Sequence, residues 1–193
     1  MTIDHDLGPA AGQVSGLIAG VREDHLSLAT PCEQWTVDDL LRHLLDLTAA
    51  FAAAASKAPY PAGVSGGLAG DWRNRLDTQL DDLVAAWRTA EAWEGDASAG
   101  GVTMPAPVMG VVALDELVLH GWDLAQATGQ PYDADPASVR ACLGFAASMS
   151  VPGEEAGREG LYGPVVPVPD DAPDLVRLLG FAGRDPGDGW RDR

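Results

Sequence analysis

A carboxylate and an imidazole stand four residues apart in a segment that otherwise has the composition of a buried helix. The segment reads DELVLHGWDLAQATG, and the pair is Glu116 and His120. At about 100° per residue, the two side chains lie about 40° apart on a helix, and Asp123 lies about 20° to the other side of Glu116. Leucines border this polar stripe, so it adjoins an apolar face. Taken alone, such a pair can also be a simple contact on a helix surface.

A second imidazole interrupts a leucine stripe in an earlier segment. His43 shares its helix face with Leu40 and Leu47, so it should point inward. A lone histidine in this position is more often a core residue than a ligand. A buried glutamate, however, is costly unless another group compensates its charge. No Lys or Arg occurs between Arg88 and Arg140 to compensate Glu116 locally, whereas a divalent metal would.

Two imidazoles and one carboxylate are typical of a catalytic zinc site, which keeps a fourth position open. We therefore predict that His43, Glu116 and His120 bind a divalent metal, with zinc or nickel compatible with these residue types. Positions i and i+4 can converge on one ion, and a facing helix can supply the third ligand. Asp123 could orient a ring nitrogen of His120, and a plain surface acid is an equal alternative. Catalytic and substrate-binding residues cannot be assigned from this pattern.

The elements that must position these residues are helices. Helical periodicity dominates the chain and predicts four long amphipathic helices, over about 12–22, 37–56, 71–93 and 111–129. Thr36 and Asp39 predict the start of the second helix through a capping box, and Gly129 predicts the end of the fourth. Four such helices in one domain predict an all-α four-helix bundle, in which side chains on facing helices build the site.

Two further elements complete the predicted architecture. A short extra helix should run from Pro136 to about Ser150, and an extended, proline-punctuated tail with a short helix should follow. We expect a metal-binding bundle over residues 1–150, and a C-terminal segment over residues 151–193 packed on the same domain. Four tryptophans at or near helical-stripe positions are expected to pack in the core or at its rim; they are Trp72, Trp87, Trp93 and Trp122.

Composition excludes several classes of partner. The net charge is −17, from 12 basic and 29 acidic residues, and this balance repels nucleic acid and anionic membrane surfaces. No apolar stretch has the length of a membrane span. The N-terminus carries acid where a secretory signal carries Lys or Arg, so we expect a cytoplasmic protein. The helices could also bury a homodimer face.

Other residues that could do chemistry have simpler interpretations. Cys32 in TPCEQW could be a nucleophile with His43 as its base, but a cysteine before a helix more often packs beside a residue such as Trp35. Two cysteines are too few for a disulfide framework. His5 and His25 lie in polar surroundings, so we expect both to be exposed.

Three motifs together resemble a known family. TPCEQWTVDDLLRHLL, followed later by DELVLHGWDLAQATG, resembles the mycothiol-dependent maleylpyruvate isomerase-like proteins of the DinB/YfiT-like superfamily. The tail GPVVPVPDDAPDLVRLLGFAGRDP resembles an actinobacterial branch of that group. The resemblance covers nearly the whole chain. It implies a four-helix bundle that holds one divalent metal through an early histidine and a later Glu/His pair, which correspond here to His43, Glu116 and His120.

The resemblance also implies a chemistry. In the family, the open metal position works on a low-molecular-weight thiol, mycothiol in actinobacteria or bacillithiol elsewhere, in isomerase or thiol-transferase reactions with an electrophilic substrate. A metal lowers the pKa of a coordinated thiol until it is a nucleophilic thiolate. In the isomerase, the thiolate adds to a conjugated double bond, rotation follows, and elimination releases the isomer. The isomerase also uses cationic groups to hold its dicarboxylate substrate, and none of Arg42, Arg73 and Arg75 matches such a motif here.

Three functions therefore follow from the sequence. The leading prediction is a metal- and mycothiol-dependent transferase or isomerase. The first alternative is a metal-binding sensor or interaction module without turnover. The second is a purely structural bundle in which His43 and Glu116 hydrogen-bond each other. Metal content separates the last from the others, and an assay of thiol chemistry separates the first two.

Overall fold

Helices dominate the protein. The computed structural model describes residues 5–32, 35–60, 68, 70–151, 153, 158 and 160–187. The chain forms two compact units, Met1–Asp133 and Ala134–Arg193. The predicted division into a metal-binding bundle over residues 1–150 and a C-terminal segment over residues 151–193 remains a prediction.

The first unit contains four long helices. They are α1 (Gly8–Gly20), α2 (Val37–Ala55), α3 (Trp72–Trp87) and α4 (Ala106–Thr128). Both α1 and α2 pack against α3 and α4. Helix α4 itself consists largely of small and branched apolar residues, and most of its length is buried. Its buried surface includes the polar residues Asp115, His120 and Asp123. The predicted all-α bundle is confirmed.

Local signals determine where the site-bearing helices begin and end. The Thr36 N–H donates to Asp39 Oδ2 at 3.0 Å, and Thr36 Oγ1 accepts from the Asp39 N–H at 3.3 Å. This reciprocal pair is the predicted capping box at the start of α2. Gly129 ends α4 with φ 67°, a left-handed conformation that glycine adopts without strain. Both predicted ends are confirmed.

A two-stranded hairpin between α3 and α4 is the main feature that the sequence prediction lacked. Strands β1 (Asp96–Ala99) and β2 (Val102–Pro105) pair antiparallel. Gly100 and Gly101 form the turn with φ values of 58° and 81°, the positive values that a tight hairpin requires. The predicted third helix is also shorter than expected, because α3 ends at Trp87 and a separate 3-10 turn, Ala90–Trp93, follows it.

The prediction that His25 is exposed is wrong. His25 is the last residue of a 3-10 turn, Glu23–His25, and only 4% of its surface is exposed. Its Nδ1 accepts the Arg22 N–H at 3.3 Å. His5 is half-buried, with its ring centroid 6.2 Å from that of Trp93. The four tryptophans that were expected in the core or at its rim are all buried in the core.

Among its described residues, the second unit contains the helices α5 (Pro136–Ser148) and α6 (Asp174–Phe181), which pack together. Asp135 Oδ2 caps α5 by accepting the N–H and the hydroxyl of Ser138 at 2.8 and 2.9 Å. Residues 163–168 of the predicted extended tail form neither helix nor strand. Within the described residues of both units, no helix combines the length and apolar character that a bilayer span requires.

Candidate metal centre

The three predicted ligands come together between α2 and α4. Glu116 Oε2 lies 3.3 Å from His43 Nε2 and 3.0 Å from His120 Nε2. One ligand atom of each residue lies within 4.8 Å of those of the other two. His43 and Glu116 are 73 residues apart in sequence, so the packing of one helix on another brings His43 to the pair on α4.

The position of each predicted ligand on its helix explains why its side chain reaches the cluster. On α4, the i,i+4 spacing places Glu116 and His120 one turn apart on the same face. On α2, the leucine stripe around His43 is buried, with Leu40 fully inaccessible to solvent and Leu47 only 5% exposed. Since α2 packs on α4, the imidazole that shares that stripe is carried to the carboxylate on α4.

Exposure changes steadily across the cluster. The side chain of His43 is 34% exposed, that of Glu116 20%, and that of His120 7%. The cluster is therefore open to solvent on the side of His43 and closed on the side of His120. Solvent therefore reaches the Glu116 carboxylate and the His43 imidazole.

Asp123 lies behind His120. Its Oδ2 is 3.0 Å from His120 Nδ1, and its side chain is 0% exposed. Complete burial excludes the alternative of a surface acid and fits the orienting role considered from the sequence. Because a carboxylate only accepts hydrogen bonds, Asp123 keeps a proton on His120 Nδ1 and directs Nε2 toward Glu116.

His120 is thus held between two carboxylates. Burial disfavours its charged form, but hydrogen bonds with Asp123 and Glu116 and the charges of both outweigh burial and raise the pKa of His120 to about 9. Burial likewise disfavours the Glu116 carboxylate, yet hydrogen bonds from His120 and His43 hold the pKa of Glu116 well below its usual range. In the metal-free protein, an imidazolium therefore compensates the buried acids.

An aromatic residue that sequence reasoning did not assign to the site completes the cluster. The ring centroid of Trp35 lies 4.7 Å from that of His43 and 5.7 Å from that of His120. The two imidazoles meet nearly edge to face, with centroids 4.9 Å apart. The available signal was its position directly before Thr36, since the residue preceding an N-cap commonly packs back on its helix.

Other candidates from the sequence lie outside the group of potential ligands. Among the described residues, the set of His, Cys, Asp and Glu side chains that could share an ion does not include Cys32. Two of the arginines considered for substrate binding have partners elsewhere: Arg42 pairs with Asp38 at 2.6 Å, and Arg73 donates to the Val21 carbonyl at 2.6 Å.

Comparison with known proteins adds a family and a fold. A family model described as the mycothiol maleylpyruvate isomerase N-terminal domain matches residues 7–125. Two uncharacterized proteins from two strains of Mycobacterium tuberculosis are each 28% identical over 184 residues, which cover 88% of this chain and 91% of each relative.

Two solved structures share the fold. A crystal structure of a histidine-to-alanine mutant of the mycothiol-dependent maleylpyruvate isomerase matches with a TM-score of 0.57 at 20% identity. A second structure of that isomerase matches with a TM-score of 0.53 at 18% identity. Each match covers 72% of this chain, and the chain spans only 66% of the length of those isomerase chains.

Proposed function

Because the chain belongs to the mycothiol maleylpyruvate isomerase N-terminal domain family, we propose that it is a divalent-metal-dependent enzyme that uses mycothiol. His43, Glu116 and His120 hold the metal, and the reaction is thiol transfer to an electrophile or thiol-assisted isomerisation. The observation that carries this proposal is the convergence of three donor atoms, from two helices, on one small volume. The sequence predictions of a cytoplasmic location and of a homodimer remain predictions.

Two of the donor-atom separations are close to those expected around an ion of the size of zinc. Ligand atoms about 2.0–2.2 Å from a tetrahedral ion lie roughly 3.3–3.6 Å from each other. The two separations from Glu116 Oε2, 3.0 Å to His120 Nε2 and 3.3 Å to His43 Nε2, are close to this range. Two imidazoles and one carboxylate suit zinc and nickel equally, and both are candidates for the native ion.

The surrounding residues prepare this chemistry. A bound divalent ion would supply the Lewis acidity that makes a coordinated thiol a thiolate at neutral pH. Asp123 holds the Nδ1 proton of His120, so the Nε2 lone pair is the one available to a ligand. His120 must release its second proton before it can act as a ligand. The partial exposure of His43 and Glu116 leaves a path for the thiol.

Mycothiol as the thiol is supported by the family and by the similarity to the mycothiol-dependent isomerase. The electrophilic substrate is less narrowly defined than the thiol. The chain is acidic, with a net charge of −17, and Arg42 and Arg73 already have partners. A dicarboxylate such as maleylpyruvate is therefore one substrate to test beside uncharged electrophiles.

Metal binding is the first test. Protein purified without added metal is analysed for metal content, and zinc affinity is measured by chelator competition. We expect one ion per chain in the wild type and its loss in Glu116→Gln, which keeps the shape of the side chain but removes its charge. Glu94→Gln, at an exposed glutamate, is the matched control. Failure of the wild type to bind an ion would leave the structural alternative, with a His43–Glu116 hydrogen bond, as the better account.

Turnover is the second test. Conjugation of mycothiol to monochlorobimane and isomerisation of maleylpyruvate are measured for the metal-loaded wild type and His120→Ala. We expect conjugation or isomerisation to depend on His120 in at least one assay. A metal-loaded protein whose rates equal those of His120→Ala in both assays would favour the alternative of a sensor or interaction module.

A further inference from the structure

We infer that Trp35 is a positioning residue of the centre, which fixes the plane of the His43 imidazole; this inference rests on the proposed function. The two imidazoles are supported differently. His120 is held at both nitrogens, by Asp123 at Nδ1 and by Glu116 at Nε2. Within the part of the chain that the structure describes, Glu116 is the one hydrogen-bond partner of His43.

One hydrogen bond does not fix an imidazole plane. Rotation of a histidine ring about its terminal side-chain bond is broad and roughly two-fold, and the side chain of His43 is 34% exposed. The indole of Trp35 lies against this ring, with centroids 4.7 Å apart and planes inclined by 58°. It also stacks on His120, with planes only 25° apart. A single rigid ring therefore restrains both imidazoles.

The backbone around Trp35 is itself restrained. The Thr30 N–H donates to the Trp35 carbonyl at 2.9 Å, and the Thr30 hydroxyl donates to the same carbonyl at 3.1 Å. The Trp35 N–H donates to the Cys32 carbonyl at 3.1 Å. Ala29 and Thr36 form a β-bridge around these contacts. Since Thr36 is the N-cap of α2, the position of the indole is tied to the helix that carries His43.

Each imidazole is therefore oriented by a different residue. Asp123 orients His120 through a buried hydrogen bond, and Trp35 orients His43 through ring packing. Groups that orient metal ligands commonly contribute about 10- to 100-fold in metal affinity. A ring contact is weaker and less directional than a charged hydrogen bond, so we expect the lower end of that range for Trp35.

The first experiment is done on metal-free protein, so its outcome does not depend on the proposed function. The ring-proton resonances of His43 are followed by NMR in the wild type, in Trp35→Leu and in Trp35→Phe. We expect the leucine variant to lose the ring-current shift of these resonances and to show a more mobile ring, and we expect phenylalanine to restore a restrained ring. Unchanged His43 resonances and dynamics in Trp35→Leu would overturn the inference.

The second experiment measures zinc affinity by chelator competition and the visible spectrum of the cobalt-loaded protein. Trp35→Leu should bind zinc roughly 10-fold more weakly and change the cobalt spectrum, while Trp35→Phe stays within about 3-fold of the wild type. Thr30→Val, which replaces the hydroxyl that contacts the Cys32 and Trp35 carbonyls by a methyl group, should weaken binding in the same direction. Wild-type affinity and spectrum in Trp35→Leu would contradict the positioning role, whereas absence of binding by the wild type would contradict the proposed function instead.

Discussion

The placement of His120 between two carboxylates predicts a specific dependence of stability on pH. Its pKa is raised from an ordinary value of 6.5 to about 9. A group whose pKa is higher in the folded state stabilises that state fully below the unfolded pKa, and the stabilisation is lost as pH rises through the folded pKa. The shift corresponds to about 3 kcal/mol. Metal-free protein should therefore lose about that much unfolding free energy from this group between pH 6 and pH 9.

The perturbation that tests this reasoning is Asp123→Asn. The amide oxygen can still accept the hydrogen bond from His120 Nδ1, 3.0 Å away in the wild type, but the negative charge is gone. The pKa of His120 should fall toward its ordinary value. We expect the pH-dependent loss of stability to shrink by at least about 1 kcal/mol, because a buried charge-assisted hydrogen bond is replaced by a neutral one.

The assay is urea unfolding of metal-free protein in chelator, at half-unit steps from pH 6 to pH 9. Other groups titrate in this range, so the difference between wild type and variant is the informative quantity. Asp82→Asn, at an exposed position on α3, is the control and should follow the wild type. A pH dependence in Asp123→Asn equal to that of the wild type would refute the view that Asp123 helps to hold His120 as an imidazolium.

Three further predictions concern other parts of the molecule. Asp135→Ala removes the cap of α5, so the unfolding free energy of the second unit should fall by about 1 kcal/mol in a denaturant titration, with Asp135→Asn close to the wild type. Gly110→Ala places a methyl group 2.5 Å from the Trp93 ring, so thermal unfolding should show a loss of about 1–3 kcal/mol. Gly144→Ala, on an open helix surface, should instead be neutral or stabilising. Zinc at about 100 times its Kd should raise the unfolding free energy by about 2.7 kcal/mol, and chelator should abolish this gain; a melting temperature independent of zinc would contradict a site confined to the folded state.

Several features could be predicted from the sequence because they depend on residues within one or two helical turns. The capping box of Thr36 and Asp39, the left-handed end of α4 at Gly129, and the shared face of Glu116 and His120 are of this kind. Each follows from backbone geometry and short-range hydrogen bonds, so the packing of the remaining chain does not alter it.

Other features depended on contacts that the sequence pattern does not contain. His25 lies in a polar segment, yet its burial follows from the fold around its 3-10 turn. Trp35 was expected only to pack near Cys32, and its indole also lies on two imidazoles from different helices. The β1–β2 hairpin had a local signal in Gly100 and Gly101, but its strands of four residues are too short for a clear alternation of apolar and polar positions.

Helical periodicity is a local property of the chain, so the order of the residues alone predicts which residue types share one side of each helix. That order was enough to place Glu116 and His120 on one face and to predict an inward-facing His43. The 3.3 Å approach of His43 Nε2 to Glu116 Oε2, across 73 residues, comes from helix packing. The complete burial of Asp123 and the contact of His120 with two carboxylates come from that packing as well. These properties depend on how α2 packs against α4, and that packing depends on contacts throughout the core.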